Sequence, residues 1–249
     1  MNYKTVIFIT SFFKASGAVS HAITRAVSIL LCTFFLFGFS TPEGSKQPPV
    51  AGKVWVGTWG TARQLVEPNN MPPTPGLSNN TLRQVVCVST GGKTLRLRFS
   101  NEFSKNPVTM HVVQIAVSKG GSLIDEKTTK ELKFNGKSEV TMDAGAETMS
   151  DPVTFDLQPR MEVAITISFG ETSPTVTGHP GSRTTSYLLT GNHTEANTDF
   201  TDAAKTDHWY VITGIDVEAS KTATAAIGII GDSITDGRGS GTNKTRQVA

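Results

Sequence analysis

Cysteine is nearly absent from this chain: there are two in 249 residues, and Cys32 lies inside an apolar amino-terminal stretch. With that stretch removed on export, Cys87 stands alone. No intrachain disulfide is then available, and stability has to come from packing. Cys87 itself sits among apolar, β-branched residues and is expected to be a small core side chain. An excess of charge is missing too, since 23 Lys and Arg face 21 Asp and Glu for a net charge of +2. That balance gives no ground for a nucleic-acid partner or an anionic membrane surface. There is no basic recognition helix and no aromatic RNA-binding strand pair. Long hydrophobic runs are lacking as well. The run Ala26–Phe39 has 14 residues, short of the roughly 20 that a membrane-spanning helix needs. No repeat of fixed period stands out. His111, His193 and His208 have neither the mutual spacing nor the cysteine partners of a metal site, so no metal and no cofactor is expected. What remains is a chain with 37% hydrophobic residues, enough for one large or two small domains with a sizeable core.

The amino end has the layout of a secretory signal. Lys4, Lys14 and Arg25 precede the apolar run, and Gly38-Phe39-Ser40 offers small residues where a signal peptidase reads. Residues 1–40 are therefore expected to be a signal peptide cleaved after Ser40, with an uncleaved anchor as the alternative. Leu31 stands before Cys32 where a lipoprotein signal needs a small residue, which disfavours a lipid-anchored start. The expected destination is secretion, the periplasm or the cell envelope. Residues 41–53, rich in Pro, Gly, Ser and Lys, read as a linker.

From residue 54 to about 219 the chain alternates apolar and polar residues, with turn residues every ten or so positions. Leu95, Leu97 and Phe99 oppose Arg96 and Arg98; Val163, Ile165, Ile167 and Phe169 oppose Glu162, Thr166 and Ser168. Val113, Ile115 and Val117 mark another strand, as do Val153, Phe155 and Leu157. Leu132–Phe134 and Val140–Met142 flank Asn135-Gly136, the signature of a tight hairpin. The expectation is a mainly β fold, a jelly-roll-like antiparallel sandwich. Within it, Gly178-His179-Pro180-Gly181-Ser182-Arg183 reads most simply as a turn with solvated polar side chains; the alternative is a loop bordering an active-site mouth. Trp55, Trp59 and Trp209 are expected to bury into the core rather than to form a sugar-binding platform. Asn79, Asn192 and Asn243 open glycosylation acceptor triplets, which matter only in a eukaryotic secretory route.

The stretch that suggests chemistry is Ala225–Gly237. Its run Ala225-Ala226-Ile227-Gly228-Ile229-Ile230 reads as a strand buried on both faces, as in the centre of a parallel sheet. Gly231-Asp232-Ser233-Ile234-Thr235 follows at the carboxyl end of that strand, where α/β sheets bind ligands. A helix beginning just beyond would aim free backbone N–H groups at a developing oxyanion. Other readings fail. Thr235 replaces the second glycine of G-x-S-x-G; Thr242 stands where a dinucleotide fingerprint needs its third glycine; Arg238 and Asn243 occupy the glycine positions of a P-loop. The plain structural reading is a serine that caps a helix.

Gly231-Asp232-Ser233-Ile234-Thr235 resembles the first sequence block of the SGNH (GDSL-type) esterases and lipases. Trp55–Ala62, Arg96–Phe103 and His208-Trp209-Tyr210 are similar to segments of the amino-terminal β domain of secreted two-domain members of that family. The resemblance spans about Val54 to Asn243, although each separate motif is weak. It implies that residues 54–219 are the β-sandwich and that residues 220–249 begin an α/β/α hydrolase domain with its first strand and nucleophile loop. It also implies that Ser233 is a nucleophile toward an ester, either an acylated carbohydrate or a lipid. The family's glycine and asparagine oxyanion donors and its aspartate–histidine pair lie in later blocks. Here 16 residues follow Ser233, and none is histidine. The expectation is a hydrolase domain cut short just after its nucleophile block, inactive as it stands. His208 is a poor substitute base, with no orienting acid evident. The competing class is a noncatalytic β-sandwich module that binds glycans or a cell surface.

Overall fold

Fifteen strands and one 3₁₀ turn carry the described chain. In chain order they are β1 (Lys53–Gly60), β2 (Gln64–Leu65), the 3₁₀ turn Pro68–Asn70, β3 (Thr81–Cys87), β4 (Gly92–Ser100), β5 (Val108–Gly120), β6 (Leu123–Leu132), β7 (Val140–Met142) and β8 (Glu147–Met149). Then come β9 (Val153–Leu157), β10 (Glu162–Phe169), β11 (Thr177–His179), β12 (Ser186–Leu189), β13 (Ala204–Thr206), β14 (Trp209–Tyr210) and β15 (Ile212–Ser220). The structure is a computed structural model and describes residues 52–220 and 231–244. The signal segment 1–40, the linker up to residue 51 and the apolar run Ala225–Ile230 lie outside the described residues. Lys53, expected to end the linker, is the first residue of β1.

Every strand pairing is antiparallel. A five-stranded sheet runs β1-β15-β4-β8, with β9 also on β4. A seven-stranded sheet runs β13-β12-β3-β10-β5-β6, with β7 also on β5, and a small third sheet runs β14-β11-β2. Taking β1, β3, β4, β5, β6, β9, β10 and β15 as strands one to eight, the two large sheets read 1-8-3-6 and 2-7-4-5. That is the double Greek key of a jelly roll. The fold is mainly β, as the alternation predicts.

The core forms where the alternating apolar faces of the two large sheets meet. Leu95, Leu97 and Phe99 of β4, Ile215 and Val217 of β15, and Phe155 and Leu157 of β9 are buried together with Leu82, Val86, Val113, Ile115, Val163, Ile165 and Ile167 of the other sheet. Each such side chain contributes about 1.5–3 kcal/mol. Arg96 and Arg98 point the other way, where both reach Asp216, at 3.3 and 3.2 Å.

Local expectations meet several differences. Asn135 (φ 51°) and Gly136 (φ 80°) do form a tight turn, closed by the bridge Phe134–Lys137. The flanking segments do not pair with each other, because β6 and β7 both add to β5. Thr166 and Ser168, on the face opposite Ile165 and Ile167, are buried as well. The chain after β12 crosses the outer face of the large sheet: Asn192 accepts from Ser168 Oγ at 3.0 Å, and the Thr194 carbonyl accepts from Gln114 at 2.7 Å. Cys87 is half-buried at the end of β3 rather than in the core, which Val86 and Val88 occupy.

One residue carries the chain from the small sheet into the five-stranded one. Val211, between β14 and β15, has φ 67°, a conformation costly for a β-branched residue. Its N–H donates to the Thr177 carbonyl at 2.9 Å, and its carbonyl accepts from Ser100 N at 2.8 Å. These bonds hold it between the two sheets.

Candidate functional site

Ser233 lies on the surface, in a single turn that its own neighbours build. The Asp232 carboxylate accepts the Ile234 N–H at 2.9 Å, the Asx arrangement that starts a helical turn. Asp236 N donates to the Asp232 carbonyl at 3.1 Å, Gly237 N to Ile234 O at 3.0 Å, and Arg238 N to Ser233 O at 2.7 Å. Gly237, at φ 90°, then ends the turn. Gly231 is required by space, because a Cβ there would run into the Thr235 side chain. No hydrogen bond among the described residues takes Ser233 Oγ or the Ser233 and Thr235 N–H groups.

This turn rests on the end of β11 and the loop that follows it. Nε2 of His179 lies 3.2 Å from Asp236 Oδ1. Nε of Arg183 donates to the Gly237 carbonyl at 3.0 Å. Farther along, Asn243 N donates to Arg183 O at 2.8 Å, Thr185 N donates to Asn243 Oδ1 at 3.0 Å, and Asn243 Nδ2 donates to Thr185 Oγ1 at 2.9 Å. Thr242 Oγ1 donates to Asp207 Oδ2 at 2.5 Å. Arg183 (φ 52°) and Asn243 (φ 61°) both take left-handed backbone conformations at this junction.

Glycines make the seat possible. A Cβ on Gly178 would strike Trp209 O and Val66, so only glycine lets β11 lie between β14 and β2. A Cβ on Gly181 would occupy the space of the Asp236 carboxylate and approach His179 Nε2. The loop 178–183, expected to carry solvated side chains, therefore does not. His179 and Ser182 are each 7% exposed, and Ser182 Oγ is held between Thr184 O and Asp207 O.

His179 is fixed from behind. Its ring stacks on Trp209 at 6.1 Å, and Nδ1 donates to Ala62 O at 2.9 Å. Nε2 of His179 faces Asp236, and no hydrogen bond among the described residues links His179 to Ser233. Nδ1 of His208 donates to Pro180 O at 2.7 Å, and no hydrogen bond among the described residues links His208 to Ser233. The connection Thr61–Arg63 also lines an open groove of about 620 Å³ with Arg98, Glu102 and Phe103.

The tryptophans do not form a platform. Trp59 and Trp209 meet edge to face at 5.0 Å and pack on the core. Trp55, expected in the core, lies outside it, half-buried, with one face covered by the Arg96 guanidinium at 4.3 Å. Beneath Trp209, Tyr210 is fully buried and its OH donates to Asn70 O at 2.8 Å; burial pushes its phenol up to about 12.

No family model matches this chain, and no curated protein matches it closely enough to count as a relative. The functional reading rests on the residues and their placement. Sequence reasoning named Ser233 and weighed the loop 178–183, but missed Asp236, Asp207, Thr242 and Asn243. The available signal was the paired glycines Gly178 and Gly181, side-chain-free positions bracketing a histidine.

Proposed function

We propose that Ser233 is the nucleophile of an SGNH-type serine ester hydrolase, acting as an acyl-transfer centre in an exported protein. The observation that carries this reading is the exposed turn in which Asp232 caps Ile234 and leaves the Ser233 hydroxyl and N–H unengaged by the described residues. In the proposed reaction Ser233 Oγ attacks the ester carbonyl and its proton passes to a histidine base. That base would come from the family's D-x-x-H block, which the residues after Ser233 in this sequence do not contain. The Ser233 N–H is suited to donate a hydrogen bond to the oxyanion that develops on the carbonyl oxygen. Collapse expels the alcohol with the proton from the histidine and leaves an acyl-serine. Water, deprotonated by the same base, then releases the acid and restores the serine. The ester is an acylated carbohydrate or a lipid.

A glycan-binding module is the weaker alternative, because Trp59 and Trp209 pack edge to face on each other and the Arg96 guanidinium covers one face of Trp55. The deciding experiment uses protein expressed from its native gene and treated with a fluorophosphonate. The expected result is a covalent adduct on Ser233 and ester turnover, both lost in Ser233→Ala. Absence of the adduct on folded protein overturns the assignment.

A further inference from the structure

We infer that the β-sandwich loop from Gly178 to Thr185 sets the orientation of the proposed nucleophile, with His179 and Arg183 as positioning residues; this rests on the reading of Ser233 given above. The geometry runs through a short chain of bonds. Nε2 of His179 faces the Asp236 carboxylate at 3.2 Å, and Arg183 donates to the Gly237 carbonyl. Asp236 and Arg238, on either side of Gly237, donate their N–H groups to the carbonyls of Asp232 and Ser233. Fixing residues 236–238 from outside therefore fixes the backbone on both sides of the serine Cα. A second anchor at Thr242 and Asn243, on Asp207, Arg183 and Thr185, stops the turn from pivoting about the first.

The seat is stiff where it has to be. His179 is buried, stacked on Trp209 and tied to Ala62, so its Nε2 is held by the sandwich and not by the turn. Gly181 leaves the room that the Asp236 carboxylate takes up. Every one of these contacts falls on residues 236–243, after the serine, so the Ser233 hydroxyl stays exposed to a substrate. The sandwich would thus orient the nucleophile from outside the hydrolase domain to which the proposed reading assigns it. A displacement of about 1 Å at a reacting atom can cost on the order of a hundredfold in rate, so the seat should affect turnover more than substrate affinity.

Two measurements test this. In the 249-residue chain, amide exchange of Asp236, Gly237, Arg238 and Asn243 should rise at least about tenfold in Gly181→Ala and Asp236→Ala, while core amides of β4 and β10 stay protected. Asp236 is exposed, so its variant keeps the sandwich folded even where a variant at 181 does not. Unchanged exchange in folded Asp236→Ala overturns the seat, whatever Ser233 does. In protein expressed from its native gene, Asp236→Ala and Arg183→Ala should lower kcat by about ten- to a hundredfold with KM within about twofold, and Arg183→Lys should recover part of the loss. Raised exchange with unchanged kcat overturns the positioning role. A wild-type protein without turnover or Ser233 adduct refutes the nucleophile and the positioning role together, and leaves the exchange result to stand for the seat alone.

Discussion

Gln84 holds both backbone polar groups of Tyr210: its Nε2 donates to the Tyr210 carbonyl at 3.0 Å, and its Oε1 accepts the Tyr210 N–H at 2.6 Å. Gln84 is fully buried on β3, on the core-facing side that it shares with Leu82 and Val86. A polar side chain there imitates a strand partner for β14 and holds the chain just before strained Val211. Gln84→Leu leaves two buried backbone groups unpaired, each costing about 1–3 kcal/mol. The expected outcome is a loss of about 2–5 kcal/mol, read from the urea midpoint at unchanged slope.

Tyr210 makes stability depend on alkaline pH. Its phenol ionises near 12 in the folded protein, against 10.0 ordinarily, because burial disfavours the phenolate. The raised value means that the stabilisation is fully present below pH 10 and is lost as pH rises from 10 to 12. About 3 kcal/mol is at stake, from roughly 1.4 kcal/mol per pH unit. Tyr210→Phe should lose about 1 kcal/mol at neutral pH, with the bond to Asn70, and show a shallower alkaline decline. Urea unfolding across pH 8–11.5 compares the two.

Asn80 gathers a loop around one amide. Its Nδ2 donates to Pro75 O, Gly76 O and Ser78 O at 3.2, 3.1 and 2.9 Å, and its Oδ1 accepts Gly191 N at 2.8 Å. Asn80→Asp points a carboxylate at three carbonyls. The variant should melt at a markedly lower temperature at pH 7, by about 3 kcal/mol or more, and recover in part at pH 4 as the acid is protonated.

Gly92 marks a close approach between strands: a Cβ there would strike Val217 Cγ2 and crowd the Glu218 carbonyl. Gly92→Ala should cost about 1–3 kcal/mol by pushing β15 from β4. Gly52→Ala, with nothing within 4 Å, is the control and should be neutral. Chemical denaturation of both variants measures the difference.

The sandwich is legible in the sequence where the signal is local. Leu95, Leu97 and Phe99 alternate with Arg96 and Arg98, and period two alone places them in the core. Asn135-Gly136 announces its turn because those residues tolerate positive φ. Which strand each arm joins is a long-range matter, and both arms choose β5. The burial of Thr166 and Ser168 is invisible for the same reason, since the covering segment comes from after β12. At the candidate site, the Ser233 turn is readable from Gly231, Asp232 and Gly237, whose roles are local. The seat is not. His179 and Arg183 are ordinary loop polars until Asp236 and Gly237 arrive from the far end of the chain.

Lys53 and Ser220 are direct neighbours in the β1–β15 ladder, so the first strand of the sandwich begins and its last strand ends at one place, about 5 Å apart. A unit whose ends meet this way can be spliced into a loop of another protein without prying that loop open, and its own ends can be joined and reopened elsewhere. Joining Ser220 to Lys53 through a short glycine linker and cutting between Gly120 and Gly121, at the β5–β6 turn, should yield a circular permutant with the same jelly-roll order.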